Sequence, residues 1–264
     1  MLKEPVLLEA IEVEETAVWE EPEEWEEPAA LPPTAADLPT EDGVPLESPW
    51  HRAEINLLLE ALDYHWRDRD DYYAGGNMYV YFSLQQIRNR DYRGPDFYVV
   101  TGVDGRKPRN AWIVWEEGGR YPDLIIELLS PSTAHVDRTV KKELYERTFN
   151  THEYFCYDPA TNKLEGWRLA WQGYQPIEPD ENGRMWSEVL NVWLGNWDGV
   201  FIGHSATWLR FFDQEDQLIP ILAEANAARA EQEAARAEQE AARADEAEAR
   251  AARLEAELAR LRQQ

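Results

Sequence analysis

Residues 121–133 read YPDLIIELLSPST, and the apolar run from Leu124 to Leu129 is broken at its centre by Glu127. Side chains alternate along a strand, so one face would carry Leu124, Ile126 and Leu128 and the other Ile125, Glu127 and Leu129. Both faces are apolar, which predicts a central strand covered on each side. An ionised carboxylate carried into such a core costs several kcal/mol unless it is paired, protonated or bound to a cation. Glu127 therefore needs a compensating group.

The flanking sequence offers candidates. Asp96 follows Pro95 and opens a second apolar run, Phe97 to Val100, so it stands where the chain enters another strand. Two carboxylates at matching strand ends could share a cation. After the 121–133 stretch, STAHVDRTVKKELYERTF predicts a helix of three or four turns. Asp137, Lys141 and Tyr145 fall on one of its faces, with the lysine able to reach back toward the strand end. Lys142 would point about 100 degrees away, toward solvent. Two acids and a lysine suit phosphodiester hydrolysis: carboxylates hold a divalent cation that polarises the phosphate and acidifies a bound water, while an ammonium orients the nucleophile. Aspartate–lysine pairs on helices are also ordinary surface ion pairs, so the spacing alone does not decide.

Further out, SPWHRAEINLLLEALDYHW places Ser48 as an N-cap and Pro49 in the first turn of an amphipathic helix bearing Ile55, Leu58, Leu59 and Leu62. NMYVYFS, GPDFYVVTGV and NAWIVWEEG read as strands, and EYFCYD, PATN and KLEGWRL as strand, turn and strand. Short Trp-rich strands are expected beyond them. The whole predicts an α/β domain with a mixed sheet and at least one helix packed on it.

Three segments follow from composition. Residues 1–36 form an acidic Pro/Glu-rich tail with too few large aliphatics to offset ordering entropy, so disorder is expected there. Residues 37–217 form the domain. Residues 218–264, rich in Ala, Glu and Arg, form a long helix with arginines at 229, 236, 243 and 250. Its seam of Ala230, Ala234, Ala237, Ala241, Ala244, Ala247, Ala251, Leu254, Leu258 and Leu261 leaves two readings open, a solvated single helix and a coiled coil forming a homodimer. The net charge is −26, of which −14 lies in residues 1–50. Such acidity argues against strong non-specific nucleic-acid binding unless Arg67, Arg69, Arg88, Arg90, Arg93, Arg106, Lys107 and Arg109 gather around a cleft. Cys156 is the single cysteine, no signal peptide is recognisable, and no run is long and apolar enough for a membrane span. A cytoplasmic protein is expected.

Taken in order, DLPTEDGVPLESPWHRAEINLLLEAL, RGPDFYVVTGV, YPDLIIELLSPST, DRTVKKELY and HEYFCYDP resemble the Uma2 family of restriction-endonuclease-like proteins, within the PD-(D/E)XK nuclease superfamily. The resemblance covers roughly residues 37–220. It implies a restriction-endonuclease-like mixed sheet flanked by helices and Mg2+- (or Mn2+-) dependent cleavage of DNA, with Asp96, Glu127 and Lys141 as the catalytic set. The superfamily's usual lysine two residues after the glutamate is Leu129 here, so the charge must come from Lys141 on the following helix. Glu47 is a further candidate metal ligand, Asp137 and Tyr145 would support the set from behind, and His51 is expected to be a satisfied structural histidine. Three functions stand at this point: a Mg2+-dependent endonuclease, a catalytically idle nuclease fold serving DNA binding or assembly, and an interaction protein acting through its C-terminal helix.

Overall fold

Ser48 opens the first long element as its sequence predicts. The structure, a computed structural model, describes residues 32–34, 36–39, 48–89 and 93–262. The expected acidic tail and Glu47 thus lie essentially outside the described residues. Helix α1 spans Pro49–His65, with the Ser48 hydroxyl accepting from the His51 amide and proline in the first turn, where its missing N–H costs nothing. Ile55, Leu57, Leu58 and Leu62 on its inner face are buried, each contributing about 1.5–3 kcal/mol.

Strands β1 (Tyr72–Gly76), β3 (Phe97–Thr101), β5 (Leu124–Leu128), β6 (Glu153–Asp158), β7 (Lys163–Ala170) and β8 (Gly173–Pro176) form a six-stranded sheet in the order β1-β3-β5-β6-β7-β8. β5 and β6 run parallel and the other neighbours antiparallel, so the sheet is mixed. β5 is central, as its two apolar faces require. Leu124, Ile126 and Leu128 join a core with α1 and with the antiparallel sheet of β9 (Met185–Ser187), β10 (Val192–Phe201) and β11 (His204–Phe212). Ile125 and Leu129 enter a second core on the opposite face, with Tyr98, Tyr145 and Tyr154.

A parallel pair needs a crossover, and residues 134–149 supply it as one helix. Its winding alternates between α turns at Ala134–Val136 and Lys142–Leu144 and π turns at Asp137–Lys141 and Tyr145–Phe149. The wider π turns keep Asp137, Lys141 and Tyr145 facing the sheet. Asn150, in the left-handed region at φ 51°, ends it.

Two local readings needed the tertiary structure. YYAGG, unassigned from sequence, is strand β1: a methyl group at Gly75 would strike the Tyr98 ring, and one at Gly76 the Ile55 side chain, so the glycines admit their neighbours. The strand expected over 77–83 shrinks to β2 (Val80–Tyr81), paired in parallel with β4 (Trp112–Ile113). Gln86, on the short helix α2 (Leu84–Asn89), turns the chain by donating to the Val80 carbonyl (2.9 Å) and accepting from the Phe82 amide (3.0 Å), in place of a neighbouring strand.

The C-terminal helix spans Leu222–Leu261. Its first turn is pinned by buried Arg210, whose guanidinium grips Glu224 at 3.0 and 2.8 Å and also donates to the Ile219 carbonyl. Beyond that turn the side chains are exposed. Among the described residues no helix is long and apolar enough to cross a membrane.

Candidate active site

Glu127 sits near the C-terminal end of β5 with 1% of its surface exposed, on the face covered by the 134–149 helix. Antiparallel pairing of Phe97 with Ile126 puts Asp96 opposite Glu127, one step beyond the paired residues. Asp96 prolongs the ladder with its side chain: Oδ2 accepts from the Leu128 amide at 2.8 Å. That bond holds its carboxyl beside Glu127, close enough for the two groups to act on one another's titration.

The helix closes the cluster from above. Lys141 Nζ lies 3.1 Å from Glu127 Oε2 and 2.7 Å from Asp137 Oδ1, and the Tyr145 hydroxyl donates to Glu127 Oε1 at 2.8 Å. Lys141 keeps 19% of its side chain exposed, whereas those of Glu127 and Asp137 are 1% and 2% exposed. Three carboxyl groups thus face one ammonium in a low-dielectric enclosure, leaving two negative charges in excess when all are ionised.

The titration of the site follows from this imbalance. Burial raises the Glu127 carboxyl to about 8, with Lys141 opposing the rise and Asp96 adding to it. Burial likewise lifts Asp96 to about 6, against the Leu128 amide and Lys141. Burial works against the Lys141 ammonium, yet Glu127 and Asp137 outweigh it and raise its pKa, so the lysine is held charged. Cys156, opposite Glu127 on β6, has its thiol pushed up by burial and stays protonated as a small apolar filler.

Asp96, Glu127 and Lys141 therefore converge, with Asp137 and Tyr145 in contact with them, whereas Glu47 falls outside the described residues. Among those residues no group of three or more His, Cys, Asp or Glu side chains is arranged to hold a metal ion. His51 is buried and bonded on both ring nitrogens. Nδ1 meets the Ser48 hydroxyl at 2.8 Å and Nε2 the Leu128 carbonyl at 3.2 Å, so the residue after Glu127 is held by Asp96 at its N–H and by His51 at its C=O. No local pattern announces this second hold, since 77 residues separate the partners.

One expectation is corrected. Lys142 does not point into solvent: its ammonium lies 3.9 Å from the centroid of the Trp167 ring, because the strands beyond β6 extend under that side of the helix. Nor do the arginines gather at Glu127. Arg67, Arg69 and Arg106 line a groove of about 600 Å3 beside Tyr72, which pairs with Thr101 at the opposite end of β3 from Asp96. Acids there match them: Asp71 pairs with Arg69, Asp70 with Arg106, and Glu117 with Lys107 and Arg109. Arg88 is exposed on α2, and Arg90 is outside the described residues. Among the described members of the eight, Arg93 bears on the site through its charge on Tyr145. A cleft of about 670 Å3 opens just past the end of β5, lined by Ser48, His51, Ser130, Ser132 and Asp158, but not by the acids themselves.

The family model described as "Uma2: Putative restriction endonuclease" matches residues 19–195. The chain belongs to the Uma2 family. The matched region contains Asp96, Glu127 and Lys141 and stops within β10, before the C-terminal helix. A solved structure titled as a "putative nuclease belonging to DUF820" from Anabaena variabilis ATCC 29413 is similar at 16% identity, covering 60% of this chain and 91% of that one, with a TM-score of 0.41. Comparison with curated proteins gave no match.

Proposed function

We propose that this Uma2 protein is a divalent-cation-dependent DNA endonuclease that hydrolyses phosphodiester bonds at Asp96, Glu127 and Lys141. The observation that carries the reading is the charge imbalance: three enclosed carboxyl groups and one ammonium, at the end of a central strand, in a chain of a nuclease-described family.

A magnesium or manganese ion fits this donor set. Asp96 and Glu127 are neighbouring hard oxygen donors, the excess charge of the cluster equals that of a divalent cation, and Mg2+ is commonly held by one or two carboxylates with water and substrate phosphate completing its shell. When bound, the ion would polarise the scissile phosphate and lower the pKa of a bound water. The protein's own contributions are positional. Tyr145 and the Leu128 amide fix the two carboxyl groups, and Asp137 holds Lys141 beside them. From there the ammonium can orient a nucleophilic water and neutralise charge developing on the phosphate.

The test is cleavage of plasmid and single-stranded DNA by the purified full chain with Mg2+, with Mn2+ and with chelator, alongside Asp96→Ala, Glu127→Ala and Lys141→Ala. Metal-dependent nicking lost in the variants supports the proposal. Activity equal in all four proteins refutes it. DNA binding without cleavage would instead support the idle-fold reading.

A further inference from the structure

The C-terminal helix carries a charge pattern that the nuclease reading does not use. Leu254, Leu258 and Leu261 are 53%, 54% and 61% exposed, and no described residue covers them. With Ala244, Ala247 and Ala251 they fall at steps of three and four, the a and d positions of three successive heptads. The positions flanking this seam are then fixed. Arg243, Arg250 and Glu257 occupy g, and Glu248, Glu255 and Arg262 occupy e.

In a parallel, in-register pair, each g residue faces the e residue five positions later on the other helix. Arg243 of one copy then meets Glu248 of the other, Arg250 meets Glu255, and Glu257 meets Arg262, with every contact repeated by symmetry. All are pairs of opposite charge. The preceding part of the helix behaves differently. There the seam (Ala230, Ala234, Ala237, Ala241) is alanine and runs in a different heptad frame, shifted at Ala244 by two consecutive steps of three; in that frame the same rule sets Glu233 against Glu238 and Glu240 against Asp245, which repel.

We infer that residues 243–262 form a parallel, in-register two-stranded coiled coil with a second copy of this chain, while residues 227–242 remain unpaired spacers. Leucines at a and d supply the apolar burial, and the flanking charges choose a second copy and its direction. An antiparallel pair would instead bring g against g and e against e, setting like charges together at its centre. The inference is independent of catalysis, because it rests on the helix alone.

Sedimentation velocity of the full chain from low to high micromolar concentration tests it. The wild type should form dimers, and Leu254→Ala with Leu258→Ala should abolish them. Arg250→Glu and Glu255→Arg, each alone, set like charges together twice per dimer and should weaken association roughly tenfold. Mixing those two variants restores both opposite-charge pairs in a parallel heterodimer, so dimer should return. Circular dichroism shows whether each variant stays folded, the substituted side chains being exposed. A wild type that stays monomeric, or a dimer indifferent to the leucine changes, overturns the inference. Failure of the mixed variants to pair overturns its parallel direction.

Discussion

Replacing Glu127 by glutamine should stabilise the metal-free protein, by a margin that grows with pH. Burial holds the Glu127 carboxyl at about 8 against an ordinary 4.5, so the folded chain binds a proton that the unfolded chain has lost. Stability must then fall as pH rises from about 4.5 to about 8. Fully expressed, that displacement corresponds to about 5 kcal/mol above pH 8. Sharing of the proton with Asp96 and water entry reduce it, and glutamine offers Tyr145 and Lys141 one oxygen acceptor where glutamate offers two, a loss of about 1 kcal/mol. A net gain of about 2 kcal/mol is expected at pH 8.5, raising Tm by about 4–8 °C, with little difference at pH 4.5. The assay is thermal and urea unfolding of both proteins in chelator across this pH range. Added Mg2+ should stabilise the wild type more at pH 8.5 than at pH 5.5 and leave the glutamine variant nearly unchanged. A variant less stable than wild type at pH 8.5 in chelator, or a margin independent of pH, would refute the account of Glu127 as an under-compensated buried acid.

Three further outcomes follow from individual contacts. Glu127→Ala should abolish nicking and weaken Mg2+ binding measured by calorimetry, whereas Lys141→Ala should slow cleavage about 10²–10³-fold while retaining Mg2+, because lysine is not a ligand. Tyr145→Phe removes one hydrogen bond to Glu127 and should cost about 1 kcal/mol in urea unfolding, with its larger effect above pH 8, where the carboxylate needs that donor. Glu224→Gln breaks the grip on buried Arg210 and should lower stability by about 2–4 kcal/mol, and hydrogen exchange should quicken in the first turn of the C-terminal helix.

Much of the site was legible because its residues announce themselves locally. Alternation in 124–129 placed Glu127 on a covered face, the step of four residues placed Asp137, Lys141 and Tyr145 together, and Pro95 marked the strand entry at Asp96. Ser48 was readable as a cap, and the long alanine-rich helix by its composition, because caps and helix propensity act over a few residues.

What the sequence by itself determined was which faces would be buried and which residues could share one. The tertiary structure alone decided what lay against those faces. β1 is a strand because Tyr98 and Ile55, distant in the chain, fit against Gly75 and Gly76. Lys142 rests on Trp167 because strands beyond β6 run beneath the helix, and the arginines pair with acids at the far end of the sheet because the direction of β3 carries them there. His51 reaches the Leu128 carbonyl across 77 residues. Periodicity records the environment a side chain must enter, whereas the identity of its partner depends on strand order and direction, which arise only when separate segments pack.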